Sequence, residues 1–500
     1  MKRIIFSLLF IAAVSFASAT TRNVTCSGTI DSTLQTAMTA SVDGDIINIG
    51  SGSCTLSTPI VAACSAWTMQ GQGTGSTTVT LNGGGIVFNY VNPCSFSGKT
   101  FRITAINFVG SGNSDALDIS SGSGISYRVD HNNFNYSSAW HRWSLINEPC
   151  ASPGCLFDHN TITDAAIDIG GENVPNDGNQ SGCSGSSDNC AGLTAWKATM
   201  FLDNGTEVYF ENNTFTFDNY YSQDMMDCDK GGRYVFRYNT VTGNDIFNHG
   251  FESLPNSCIE LTAYQNTMDA SAGSTGQGEI LYRGGTGVVY QNVMKGYSPN
   301  SANFQLTNYR SSSNCVSLSE CPWSGGIANA QPYCGNGNSA DGNTINGWAC
   351  YQQLGRGSGT AHGLDSFPLY EWDNCTTTPV VGCTGTANQV TPSIRTLGGS
   401  PDYTAADIQA NRDYYDSQTS CSSPQTTGVC IGVLASRPAS CTAGVAYWAS
   451  DNSTLYQCGA GNTWTSYYTP YTYPHPLEGG GGPAGSILSG GNQIKGGEFN

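Results

Sequence analysis

The side chains with the most chemical potential fall close together. Asp224, Asp227 and Asp229 lie within six residues, Lys230 follows at once, and His249, Glu252 and Arg283 come after. Three carboxylates so near each other, with Glu252 as a fourth, suit a hard cation such as Ca²⁺. The same run also reads as a solvated acidic turn. Lys230, His249 and Arg283 are candidates to take a proton or to stabilise the charge that its removal leaves, with ordinary ion pairing as the alternative. Trp140-His141-Arg142-Trp143 combines rings that can stack on sugars with a guanidinium that can grip hydroxyls or carboxylates. Strand alternation would send Trp140 and Trp143 to opposite faces, so a paired platform needs a loop; otherwise one Trp faces the core. Arg310 is a further candidate for binding substrate. His131 and His159 occupy equivalent places in two similar phrases, as a metal pair or, the preferred reading, as a stacked structural turn.

A repeat must position these groups. Phe157-Asp158-His159-Asn160-Thr161-Ile162 returns as Phe210-Glu211-Asn212-Asn213-Thr214-Phe215 and as Phe236-Arg237-Tyr238-Asn239-Thr240-Val241. Its marked asparagines are Asn107, Asn132, Asn160, Asn213, Asn239, Asn266 and Asn292, mostly 25 to 28 residues apart. The single step of 53 is read as one coil with a long insertion over 170–192. Such a period with short strands is the mark of a solenoid. Asn tolerates a left-handed turn and can bond its stacked counterparts. Residues 31–40 form a capping helix, Gly44–Ile49 the first strand and Trp67–Gly71 another. Counting back from each Asn puts strands near 165–169, 224–228, 245–247, 279–282 and 303–306. Asp168, Asp227, Asp229, Lys230, His249, Glu252, Arg283 and Arg310 then stand at or just past strand ends, in one row.

The remainder of the chain limits the alternatives. Residues 1–19 read as an export signal: Lys2 and Arg3, an apolar run, then Ala17-Ser18-Ala19. No later stretch is long and apolar enough to span a membrane. Twenty cysteines, with no Cys-x-x-Cys pair, point to disulfides in a secreted protein rather than to zinc. Nearest-neighbour bridges are expected at Cys150–Cys155, Cys183–Cys190, Cys315–Cys321, Cys375–Cys383 and Cys421–Cys430. The formal charge of −18 argues against nucleic acid as a partner. Only 11% of residues are charged and Gly numbers 62, which suits many short strands and tight turns.

The stretch 31–310 resembles the pectate-lyase-like superfamily of right-handed parallel β-helices, on its Asn-x-apolar turns and on Gly44-Asp45-Ile46-Ile47-Asn48-Ile49. More narrowly it is similar to secreted bacterial β-helix repeat proteins, on Gly232–Thr240, His249-Gly250, Arg283–Gly287 and Tyr471–Leu477. The resemblance implies an all-β solenoid over 20–310, with ligands along the first sheet beside the loops that follow its strands. It also implies Arg or Lys as the base if the activity is that of a lyase. Polygalacturonase-like relatives carry an Asp-Asp pair and Gly-His-Gly; this chain has no Asp-Asp, and only Asn248-His249-Gly250 approaches the second motif. Residues 311–440 are expected as Cys- and Gly-rich loops with one more strand at Tyr370-Glu371-Trp372. Residues 441–477 are expected as a separate aromatic β-hairpin bridged by Cys441–Cys458, and 478–500 as a Gly-rich tail. The expected function is action on, or binding of, extracellular polysaccharide or cell-surface glycan. The alternative is a non-catalytic surface, adhesin or self-assembling fibre protein.

Overall fold

A computed structural model describes residues 19–88, 99–110, 115–119, 126–136, 142–146, 150, 152–170, 195–196, 198–217, 225–229, 231–243, 245–250, 257–271, 280–296, 303–307, 352–359, 365–377, 382–394 and 408–479. The protein is all-β, and its strands form three long parallel sheets that the chain visits in rotation. One coil shows the pattern: Cys155–Asp158 in sheet 2, Thr161–Thr163 in sheet 3, then Ala166–Gly170 in sheet 1. Each strand pairs with its counterpart one coil away, so identical positions stack along a parallel solenoid. Alternation sends every second side chain inward. The central residues of the sheet 3 strands, Phe108, Phe134, Ile162, Phe215 and Val241, are all buried. Phe108 and Phe134 stack with centroids 5.2 Å apart.

The turn between sheets 2 and 3 carries the asparagine ladder. The residue before each Asn is left-handed: His131, His159, Asn212, Tyr238, Gln265 and Gln291 have φ between 54° and 58°. For a non-glycine residue this costs about 1–2 kcal/mol, and the buried Asn that follows offsets it. Asn239 donates to the carbonyls of its stacked neighbours, Phe210 O at 2.9 Å and Asn266 Oδ1 at 3.2 Å, and its own Oδ1 accepts from Asn213 N at 2.9 Å. The insertion reading of the 53-residue step holds, because Asn160 N bonds directly to Asn213 Oδ1. Two members of the ladder differ from expectation. Asn107 pairs with Asn133 on sheet 3, and Ile106 takes the ladder place instead, its N–H reaching Asn132 Oδ1 at 3.1 Å. Asn374 is a later rung, 82 residues beyond Asn292 and bonded to it at 2.9 Å.

The solenoid is capped and extended at its ends. Helix Asp31–Thr39 buries Leu34 and Met38 over the first coils. The first strand is Thr21–Val24, and it pairs with Ile46–Ile49, the strand expected to come first. Beyond residue 310 the chain re-enters the coil. Leu369–Trp372 and Tyr414–Tyr415 extend sheet 2, and Ser393–Ile394 extends sheet 1. The aromatic hairpin, Ala446–Ala449 with Thr454–Cys458, is joined by Trp464–Tyr468 and by Val429–Gly432, which precedes the expected boundary. It is not separate: it packs on the outer face of sheet 2, where Trp372 lies 4.4 Å from Tyr290 and 4.8 Å from Trp448 between ring centroids.

Cys150–Cys155, Cys375–Cys383, Cys421–Cys430 and Cys441–Cys458 pair as neighbours. Cys26–Cys54 and Cys228–Cys258 instead span 28 and 30 residues and staple successive coils together. Disulfides of this number belong to oxidising compartments. Among the described residues no helix is long and apolar enough to cross a membrane. Of the export signal expected over 1–19 all but residue 19, and of the tail expected over 478–500 all but residues 478 and 479, lie outside the described residues, as do the bridges expected at Cys183–Cys190 and Cys315–Cys321.

Candidate functional site

Sheet 1 holds the expected row. Its strands Ala166–Gly170, Met226–Asp229, Ile246–Asn248, Ile280–Tyr282 and Phe304–Leu306 fall within two residues of the places obtained by counting. Asp168 registers with Asp227, and Asp227 with Phe247. Asp227 and Asp229 are two apart on one strand and so share its outer face. The parallel ladder continues one residue past each strand, with His249 N bonded to Cys228 O at 2.8 Å and Arg283 N to Asn248 O at 2.9 Å. Asp229, His249 and Arg283 therefore hold matching positions on three successive coils.

The local chemistry follows from that stacking. Arg283 lies with Cζ 4.1 Å over the Phe247 ring, and the His249 ring meets Phe247 edge-on at 5.2 Å. Arg283 and Phe247 are buried, whereas Asp168, Asp227 and His249 are half-exposed. His249 Nδ1 lies 3.0 Å from Gly250 O, which requires Nδ1 to donate and leaves Nε2 as the basic nitrogen. Gly250 has to be glycine, since a Cβ there would stand 2.7 Å from Arg283 O.

Asp118 belongs to the same outward row, in register with Ser144, which in turn registers with Asp168. Beside it, Asp115 is pushed up to about 7, first by burial and then by the charge of Asp118. Sequence reasoning did not single out Asp115 and Asp118. The signal was present, because Ala116-Leu117-Asp118-Ile119 matches Ala166-Ile167-Asp168-Ile169. Of the other candidates, Trp140, Asp224, Lys230, Glu252 and Arg310 lie outside the described residues, as do the side chains of Arg142 and Trp143.

His131 and His159 form a stacked turn, their rings parallel within 4° and 5.0 Å apart. Each Nδ1 meets the preceding carboxylate, Asp130 at 2.8 Å and Asp158 at 2.9 Å. Its hydrogen bond to Asp158 raises the His159 pKa. Asp158, His159 and Glu478 are the one group of three ligand-type side chains that converges among the described residues. Both Asp158 oxygens, however, already accept from Arg128 at 2.9 and 2.6 Å.

A second polar centre lies under the C-terminal segment. Asp203, wholly buried, accepts from the hydroxyls of Tyr209, Tyr264 and Tyr468 and from Tyr471 N. Arg237 pairs with Glu211 at 2.6 Å and donates to the carbonyls of Tyr471 and Thr472. Burial, followed by the Asp203 charge, pushes Glu207 up to about 7. Burial and then the Arg237 charge hold His475 down at about 3. This centre clamps the last segment to the solenoid. No protein-family model matches the chain, and no curated protein matches it.

Proposed function

We propose that this is a secreted, right-handed parallel β-helix of the pectate-lyase-like kind that acts on or binds extracellular polysaccharide along sheet 1. The observation that carries the reading is the outward row of Asp118, Asp168 and Asp227, in register and leading to His249 and Arg283. The right hand follows the rule for parallel strand crossovers. Asp168 and Asp227 stand on neighbouring strands about 4.8 Å apart, and such paired carboxylates fit Ca²⁺. Bound there, the ion would neutralise a uronate carboxylate and acidify the adjacent C–H. His249 Nε2 would take that proton; the C–H electron pair would form the C=C bond, and the C–O bond would break with its pair going to the leaving sugar oxygen, which would take a proton from the protonated His249 or from water. Arg283, always charged and stacked on Phe247, would hold negative charge rather than serve as base.

The burial of Arg283 against Phe247 also favours a second reading, a non-catalytic surface, adhesin or fibre protein with a packed rather than an open row. The discriminating experiment incubates the mature protein with uronate and neutral polysaccharides, with calcium and with chelator. Ultraviolet absorbance of the unsaturated product is followed. Calcium-dependent product that disappears in His249→Ala and Asp227→Asn supports the lyase. Folded protein without product on any uronate substrate moves the assignment to binding or structure.

A further inference from the structure

The outward face of sheet 3 bears a regular net of threonines. Thr161 and Thr163 flank buried Ile162, Thr214 and Thr216 flank Phe215, and Thr240 and Thr242 flank Val241. The three pairs are in strict register on successive coils. The two positions are also Thr78 and Thr80 on an earlier coil, and uncharged Asn133 and Asn135 immediately before the run. Parallel stacking sets one spacing of the net at about 4.8 Å, and two residues of strand rise set the other at about 6.6 Å.

None of the six hydroxyls from Thr161 to Thr242 makes a hydrogen bond to another described residue. A lone threonine on a sheet commonly pairs across strands, as Thr78 does with Asn107, whereas Thr161, Thr214 and Thr240 are exposed and Thr163, Thr216 and Thr242 half-exposed. The face is also neutral in a chain of charge −18. Its first charges are Asp269 and Lys295, which pair with each other at 2.8 Å.

We propose that this face binds ice. Ice is an uncharged lattice of donors and acceptors, and a matching surface must repeat in two dimensions, carry no strongly hydrated charge and be rigid beforehand. The hydroxyls supply donors and acceptors at repeated spacing, and the methyl groups order the water between them. Threonine has one torsion to the hydroxyl and is stiff as a β-branched residue, so little side-chain entropy is lost on binding. The buried Ile162, Phe215 and Val241 beneath it fix the backbone. The two files lack the aromatic faces and charged forks by which sugar chains are held. They also lack the apolar core that association of two copies would need.

The test is partition of the full mature chain between slowly growing ice and the remaining liquid, against an acidic protein that does not bind ice. Wild type should concentrate in the ice. Thr214→Tyr, which interrupts the centre of the net with a residue that favours strands, should fall to the control level while keeping its circular dichroism and thermal midpoint. Thr39→Tyr, exposed on the capping helix, should partition like wild type. Wild type excluded from ice, or Thr214→Tyr enriched as strongly as wild type, overturns the proposal. So does binding to crystalline cellulose that the same substitution abolishes, because the occupant would then be polysaccharide. The lyase screen on sheet 1 reads a different face, so the two ideas fail separately.

Discussion

Removal of the Asn239 side chain tests how the ladder holds the coil that carries His249. In Asn239→Ala the buried N–H of Asn213 loses its acceptor, and the carbonyl of Phe210 loses one donor while keeping its place in the parallel ladder. Asn213 Nδ2 keeps its bonds to Phe157 O and Glu211 O, and Asn266 Oδ1 keeps one from Asn239 N, so the damage is confined to those two. An orphaned buried N–H costs about 1–3 kcal/mol and one lost hydrogen bond about 0.5–1.5 kcal/mol, which gives about 3 kcal/mol in all. Thr240→Ala, one residue on and exposed, should cost under about 0.5 kcal/mol. Urea unfolding followed by tryptophan fluorescence and circular dichroism measures both. An Asn239→Ala midpoint equal to that of Thr240→Ala would refute the view that the ladder stabilises the turn.

The remaining expectations concern the clamp, the staple and pH. Arg237→Leu strands the buried carboxylate of Glu211 and should cost about 3–5 kcal/mol; unchanged stability by urea titration would show that the clamp is dispensable. Cys228→Ser with Cys258→Ser opens a loop of 30 residues, worth about 3–4 kcal/mol of chain entropy; a thermal midpoint unaltered from wild type would count against that staple. Glu207 and Glu371 sit at about 7 and 8 because burial raises them. Acids raised on folding bind their proton more tightly folded than unfolded, so their contribution is whole at low pH and is lost as pH rises through the folded value. These two acids should therefore lower the thermal midpoint progressively from about pH 4.5, the unfolded value, to about pH 8.5, and less steeply in Glu207→Gln; a midpoint that rises between about pH 6.5 and 8.5 contradicts the assignment. Burial holds His475 down, so it acts in the opposite sense, its contribution lost as pH falls below the ordinary histidine range.

Much of the architecture was open to reading in one dimension because solenoid order is local. Each Asn marks one turn, and counting from it places the sheet 1 strands and the half-exposed Asp168, Asp227 and His249. The Ile106 substitution and the Asn374 rung escaped because the first lacks the marker residue and the second follows a long excursion. Asp118 was missed for want of an Asn at its own turn, although its Ala-apolar-Asp-Ile phrase repeats. What the sequence by itself determined was the coil, its period and which residues alternate outward, since strand alternation and left-handed turns depend on near neighbours. What only the tertiary structure decided was contact between distant segments. Asp203 reaches Tyr468 across 265 residues, and Trp448 seats on Trp372. Arg283 is buried on Phe247, and the Thr161, Thr214 and Thr240 files align into one net. These depend on register summed over many coils and on where a long excursion returns, which no local spacing encodes.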